Sequence, residues 1–349
     1  MTLDSILSVT KTRKPDFNNL LKVLNKETPD RHTLFEFFLN NALEKRLAQP
    51  DTAPVTEEEI VRCKVDAFRN AGYDYATIRA SDFTFRRRLK GQGQASISAN
   101  EGYVIYDRES YDKYNWEKSQ NYYDGRIERT EKYLHDGMKF IIEGPGGVLE
   151  SVIKLVGYDN LCIMLYDDPE LVEMIFDQVG PVIIDYYSQI IGHDSVGAIV
   201  SNDDWGFNTQ TMISPDDLRK YVFKWHKKIV NLAHDAGKPV ILHSCGNLRE
   251  VWGDITDDIG YDAKHSYEDA IKPVEDMYDE LKGKIAVVGG IDVDFVCRSS
   301  EESIYNRCRK MLEKTNCTGY ALGTGNSVPD YVPDGKFFSM IAAALTSKA

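Results

Sequence analysis

The sequence predicts an α/β protein, a (β/α)8 TIM barrel with an N-terminal helical extension and a β-hairpin insertion. Three observations predict it. From Gly72 onward, short β-rich runs end in small or polar residues and then give way to amphipathic helical stretches. The spacing of these units is nearly regular after residue 190, which favours closing the sheet into a barrel. A chain of 349 residues, 42% hydrophobic and 28% charged, has ample apolar surface for one large core. An open doubly wound sheet is the structural alternative.

Residues 1–70 read as helical, with polar breaks such as NKETPDRHT before the apolar stretch LFEFFLNNAL, and form the cap of the same domain. Residues 71–349 form the barrel. Its expected strands are YDYATI at 73–78, MKFIIEG at 138–144, GAIVSNDD at 197–204, PVILHSC at 239–245, YDAKHS at 261–266, IAVVGGID at 285–292 and GYALGTGN at 319–326. That makes seven. The eighth is expected within 84–106, where TFRRRL alternates and GYVIYD suggests extended chain, as a hairpin. Ser214-Pro215-Asp216-Asp217 supplies an N-cap, a first-turn proline and an acidic third position, so a helix runs from there to about Ala236, ended by Gly237. Asp168-Pro169-Glu170 opens another, interrupted near Gly180-Pro181, with Leu171, Ile175 and Val179 as its core stripe.

A net charge of −13 and a pI near 5.1 argue against wide nucleic-acid contacts or an anionic membrane surface, and RRRLK at 86–90 is the only dense basic run. No stretch approaches a transmembrane helix, and the N-terminus lacks a secretory apolar core. Six cysteines without CxxC pairs suit a reducing compartment, so a cytoplasmic location is expected.

In a barrel the C-terminal ends of all strands meet at one mouth, where the chemistry sits. Those ends supply Arg79 and Asp82; Glu143 with Gly144-Pro145-Gly146-Gly147; Asn202, Asp203 and Asp204; His243 and Cys245; His265, Glu268 and Asp269; Asp292; and Asn326. In an extended chain alternate side chains share a side, so His243 and Cys245 project together while Ser244 faces away. The same parity lets only one of Asp203 and Asp204 face the mouth, and Asp204 is the expected one. The alternative for Asp203, Asp292 and Asn326 is helix capping. Trp116, Tyr122, Tyr123 and Trp205 are aromatic groups that can line a pocket or simply pack.

The ordered set GPGG, NDDWGF, LHSCGN, DAKHSYED, GGIDVDF and ALGTGNSVP over residues 138–330 resembles the uroporphyrinogen decarboxylase superfamily. That resemblance implies a (β/α)8 barrel. The decarboxylase branch carries an arginine-rich MRQAGR-type segment, whereas the corresponding region here offers TRKPDF and TPDRHT; Asp82 in RASDF does resemble the decarboxylase aspartate. The other branch, the methylcobamide:coenzyme M and related corrinoid methyltransferases, binds zinc through a His-x-Cys pair and a distant cysteine near the last strand. His243 and Cys245 match the pair. Asn326 stands where the distant ligand falls, and Cys317 precedes the strand and belongs to the opposite rim.

Catalytic zinc normally takes three protein ligands, so the resemblance implies a carboxylate from Glu268 or Asp269 as the third, with His265 as a further candidate. It implies that zinc activates a thiol or hydroxyl, that a corrinoid on a separate protein carries the methyl group, and that Gly144 and Gly146, with Asn326, admit the cofactor. Asp204 and Asp82 are the expected catalytic carboxylates. A metal-free lyase acting on a tetrapyrrole or small acid, and a non-catalytic tetrapyrrole- or corrinoid-binding barrel, are the competing readings.

Overall fold

A computed structural model describes residues 1–85, 99–116 and 122–346. Seven strands lie in sequence order and pair in parallel throughout: β1 (Tyr75–Arg79), β2 (Lys139–Glu143), β3 (Val196–Asn202), β4 (Val240–His243), β5 (Ala263–His265), β6 (Ala286–Val288) and β7 (Tyr320–Ala321). Each falls on an expected run. Buried on both faces, the runs are near-continuously apolar, as parallel strands flanked by helices must be. The sheet is curled and TIM-barrel-like.

The place between β7 and β1 is taken by a segment expected to be helical. Leu34 and Leu39 bridge in parallel to Leu322 and Val328, and the Phe35 N–H donates to the Leu322 carbonyl at 2.8 Å. On the other side the Tyr75 hydroxyl donates to the Glu36 carbonyl and accepts from the Glu36 N–H, both at 2.7 Å. LFEFFL is therefore extended rather than helical. Its Phe35 and Phe37 side chains are buried while Phe38 is exposed, and the helix starts only at Asn41, capped by the Asn40 side chain, which accepts from Leu43 N. Of the stretch expected to hold the eighth strand, residues 86–98 lie outside the described residues, and 84–85 and 99–106 contain no strand.

The remainder of the first seventy residues forms α1 (Leu3–Thr10), α2 (Asn18–Leu24), α3 (Asn41–Ala48) and α4 (Glu57–Ala71). The Ser214 cap is present and the chain is helical over 215–235, with one wide π turn at Leu218–Phe223. The expected break at Gly180-Pro181 does not occur: the helix Pro169–Ser188 runs through it. Gly180 lies against the Trp225 indole, where a Cβ would collide, and the packing of buried Leu171, Ile175 and Val179 outweighs the one hydrogen bond Pro181 cannot donate. Among the described residues no helix is long and apolar enough to cross a membrane.

Candidate active site

Because the strands are parallel, the residues following β3, β4, β5 and β7 meet on one rim. β4 ends at His243, and the chain then turns sharply at Gly246, which has φ +86° and packs so closely on the Gly206 backbone that any Cβ would collide. This turn brings Cys245 back over the strand end. Its backbone N–H donates to Asp204 Oδ1 at 2.8 Å, and its Sγ stands 3.9 Å from His243 Nε2. One ligand atom each from Asp204, His243 and Cys245 lies within 4.8 Å of the others, the only such group of three His, Cys, Asp or Glu among the described residues. Two N–H or O–H donors face the sulfur as well, Ser266 Oγ and Asn326 Nδ2, each at 3.4 Å.

The ring behind His243 sets its tautomer. His243 and His265 are register partners on β4 and β5, with their Nδ1 atoms 2.8 Å apart, and Phe37 stacks on His243 at 4.3 Å. Burial pushes the His243 pKa well below the ordinary imidazole range and that of His265 down to about 3, so both rings are neutral. His265 Nε2 faces the Thr324 carbonyl at 3.2 Å, an acceptor only, so its proton sits on Nε2 and its Nδ1 accepts. His243 must then donate from Nδ1. This leaves the lone pair of His243 Nε2 directed toward Cys245.

Burial first, and then the Asp204 carboxylate, push the Cys245 thiol up to about 12. A group of one carboxylate, one imidazole with its lone pair free and one thiol fits a divalent zinc-type cation with a coordination position to spare; the cation's charge would reverse the unfavourable pairing of thiolate and carboxylate.

Glu36, buried in the extended segment, fixes the loop that carries Asn326. Its carboxyl accepts from Thr324 N at 2.7 Å and stands 2.5 Å from Thr324 Oγ1, which in turn contacts the Asn326 carbonyl. Burial raises its pKa to about 8. A neutral carboxyl satisfies every partner: Oε1 accepts the amide, its own O–H donates to Thr324 Oγ1, and that hydroxyl donates onward. Below the ordinary carboxylate value both folded and unfolded chains hold this proton. Between there and pH 8 only the unfolded chain releases it, so stability falls as pH rises. Glu36→Gln, which keeps one acceptor and one donor, is expected to flatten that fall and to exceed the wild type in stability above about pH 8. Urea midpoints at acid and alkaline pH check this, and parallel losses in the two proteins would count against it.

The other expected residues are placed as follows. Asp203 is fully buried and accepts from Leu149 N and Glu150 N, both at 2.9 Å, and from His226 Nε2 at 2.9 Å. It therefore caps the helix Val148–Val156, as the capping reading allowed, although that helix follows β2. Asp292 caps Phe295 N. Asp269 is held by a bidentate pair with Arg307 at 2.6 and 2.9 Å, and neither it nor Glu268 is brought into the three-residue group. His265 stands behind His243 rather than in the group. Asp82 is 89% exposed and pairs with Arg126 at 2.9 Å. Gly144 is required where a Cβ would strike the Tyr187 hydroxyl, and Gly146 has φ +128°. Cys317 is buried against His32 Nδ1 at 2.6 Å. Trp116 and Tyr122 line a separate cavity of about 540 Å³ together with Phe83 and Phe85, whereas Trp205 is buried on His226.

Sequence reading missed Glu36, His226 and Lys264. A carboxylate inside the aromatic run LFEFFL was the available signal for the first, since such a group stays buried only when fully hydrogen-bonded. The other two lie in segments whose spacing alone marks them as ordinary helix and strand.

Comparison with curated protein sequences finds no match. Among solved structures, a methyltransferase from Methanosarcina mazei superposes with a TM-score of 0.69 at 14% identity, covering 93% of this chain and 97% of that one. A sugar phosphate isomerase/epimerase from Parabacteroides distasonis, at 10% identity over 91% of this chain and 97% of its own, reaches a TM-score of only 0.40. Residues 116–346 match the family described as Uroporphyrinogen decarboxylase (URO-D). With that match spanning most of the barrel, and the rim geometry built from the same motifs, the chain belongs to the uroporphyrinogen decarboxylase family.

Proposed function

We propose that this protein is a zinc-dependent methyltransferase that moves a methyl group between a corrinoid, carried by a separate protein, and a thiol or a methoxylated or methylated small molecule. The observation that carries this reading is the group of Asp204, His243 and Cys245 at the mouth; the fold shared with a methyltransferase supports it. Asp204, His243 and Cys245 would hold the ion, which, when bound, supplies the positive charge that makes a substrate thiol or hydroxyl acidic enough to attack at neutral pH.

The surrounding residues have definite tasks. His265 fixes the His243 tautomer, Ser266 and Asn326 donate to the sulfur and so favour its thiolate, and Glu36 holds the Asn326 loop in place. Asn326, which stands in place of the second thiolate, acts through its N–H group, and the carboxylate of Asp204 makes the donor set harder than two thiolates would. Six unpaired cysteines suit a cytoplasmic setting.

The test is consumption of free methylcobalamin by purified protein in the presence of small thiols, followed by absorbance. Thiol-dependent consumption is expected, to be stopped by a chelator and restored by zinc. Consumption indifferent to chelation, or none with any thiol or in the reverse direction with methoxylated donors, counts against the reading.

A further inference from the structure

Beside the metal-type group lies a second feature that the proposed chemistry does not use. Lys264, on β5, is only 3% exposed, and among the described residues no carboxylate oxygen lies within 4.0 Å of its Nζ. Its ammonium instead lies 4.3 Å from the centre of the Tyr267 ring and donates to the Ser266 carbonyl. Leaving an ammonium buried without a counter-ion is costly. Burial pulls its pKa down to about 8, opposed by the nearby carboxylates of Glu268 and Asp204, so it is still cationic at neutral pH.

This lysine forms part of the wall of a cavity of about 340 Å³, within the size range of small-molecule sites. Apolar and aromatic walls come from Trp252, Tyr267, Met277 and Leu248. The charges around the cavity sum to a single positive one: Lys272 is paired with Glu280, and Glu268 offsets one of Lys264 and Arg249. A monoanion balances that; a dianion does not.

Ser266 joins the two places. It also borders the cavity, it is a non-glycine residue at φ +84°, and its hydroxyl donates to Cys245 Sγ while its carbonyl accepts from Lys264. Strain of this kind persists where the surroundings impose it, here at the partition between the sulfur and the cavity.

We propose that this cavity binds the carboxylate end of a small monocarboxylate with an apolar body, with Lys264 as its counter-ion, and that such molecules are the substrates presented to the neighbouring Cys245 rim. The second half rests on the methyltransferase reading; the binding itself does not.

Benzoate and its neutral isostere benzamide are the probes, titrated calorimetrically into the intact protein with and without zinc. Benzoate is expected to bind at one site per chain, at least about tenfold tighter than benzamide, a gap of about 1.4 kcal/mol. Lys264→Met is expected to abolish that preference while retaining zinc, and Glu268→Gln, which removes the offsetting charge and leaves the lysine in place, to tighten benzoate severalfold. Equal binding of the two probes, or a preference unchanged in both variants, overturns the proposal. Benzoate selectivity in a protein that neither binds zinc nor consumes methylcobalamin would remove the methyltransferase reading and leave the carboxylate site standing; zinc-dependent transfer without benzoate selectivity would do the reverse.

Discussion

Cys245→Ser is expected to weaken zinc binding by more than about 100-fold and to abolish chelator-sensitive methyl transfer, while leaving the fold intact. Loss of an outer-shell partner costs about 10- to 100-fold in metal affinity, and removing a ligand itself must cost more. Cys245 is partly exposed on the rim, and its hydrogen bonds through sulfur are long ones, so stability has little to lose. His265→Leu provides the internal scale. It removes no metal ligand but frees His243 Nδ1 from its acceptor, and its effect is expected within the outer-shell range. Competition with a chromophoric chelator reads both. A Cys245→Ser protein with wild-type affinity would move the sulfur out of the ligand set.

Asp203→Ala is expected to cost about 3–5 kcal/mol of folding stability, the range for removing one partner from a buried pair. His226 would lose its Nε2 partner in a site with no solvent access, and the helix Val148–Val156 would lose the acceptor for two of its first N–H groups. Its neighbour Asp204 gives the contrast: partly exposed at the mouth, it should cost little stability when replaced by alanine but should lose metal. Denaturant unfolding of the two variants side by side measures this. A cost for Asp203→Ala below about 1 kcal/mol, the net worth of a single hydrogen bond, would mean that Asp203 does not tie the end of β3 to that helix and to His226.

The division between adjacent aspartates was legible in the sequence because strand parity is a local rule, and so were the seven strands, whose apolar runs stop abruptly on polar or small residues. His243 and Cys245 could be read as a pair for the same reason. What was not legible depends on contacts distant in sequence. The run LFEFFL has no turn signal separating it from the helix that follows, and it becomes extended because β7 and Tyr75 offer it edge partners nearly 290 and 40 residues away. Asp269 has the right chemistry for a ligand, but Arg307, on the helix Glu301–Thr315 that follows β6, holds it in a bidentate pair. His265 sits in register with His243, which places it behind the site instead of in it. Lys264 alternates with His265 and Ala263 along β5, and only the cavity between the β4 and β5 loops shows that its ammonium has a place to go.

Methyl transfer at this mouth requires Asp204, His243 and Cys245 to form a metal centre. The most direct measurement is elemental analysis of wild-type and Cys245→Ser protein, both purified without a metal-chelating tag. About one zinc per chain in the wild type, absent from the variant, is the predicted result. A wild-type protein that retains no metal, even after exposure to zinc and removal of the excess, would contradict it.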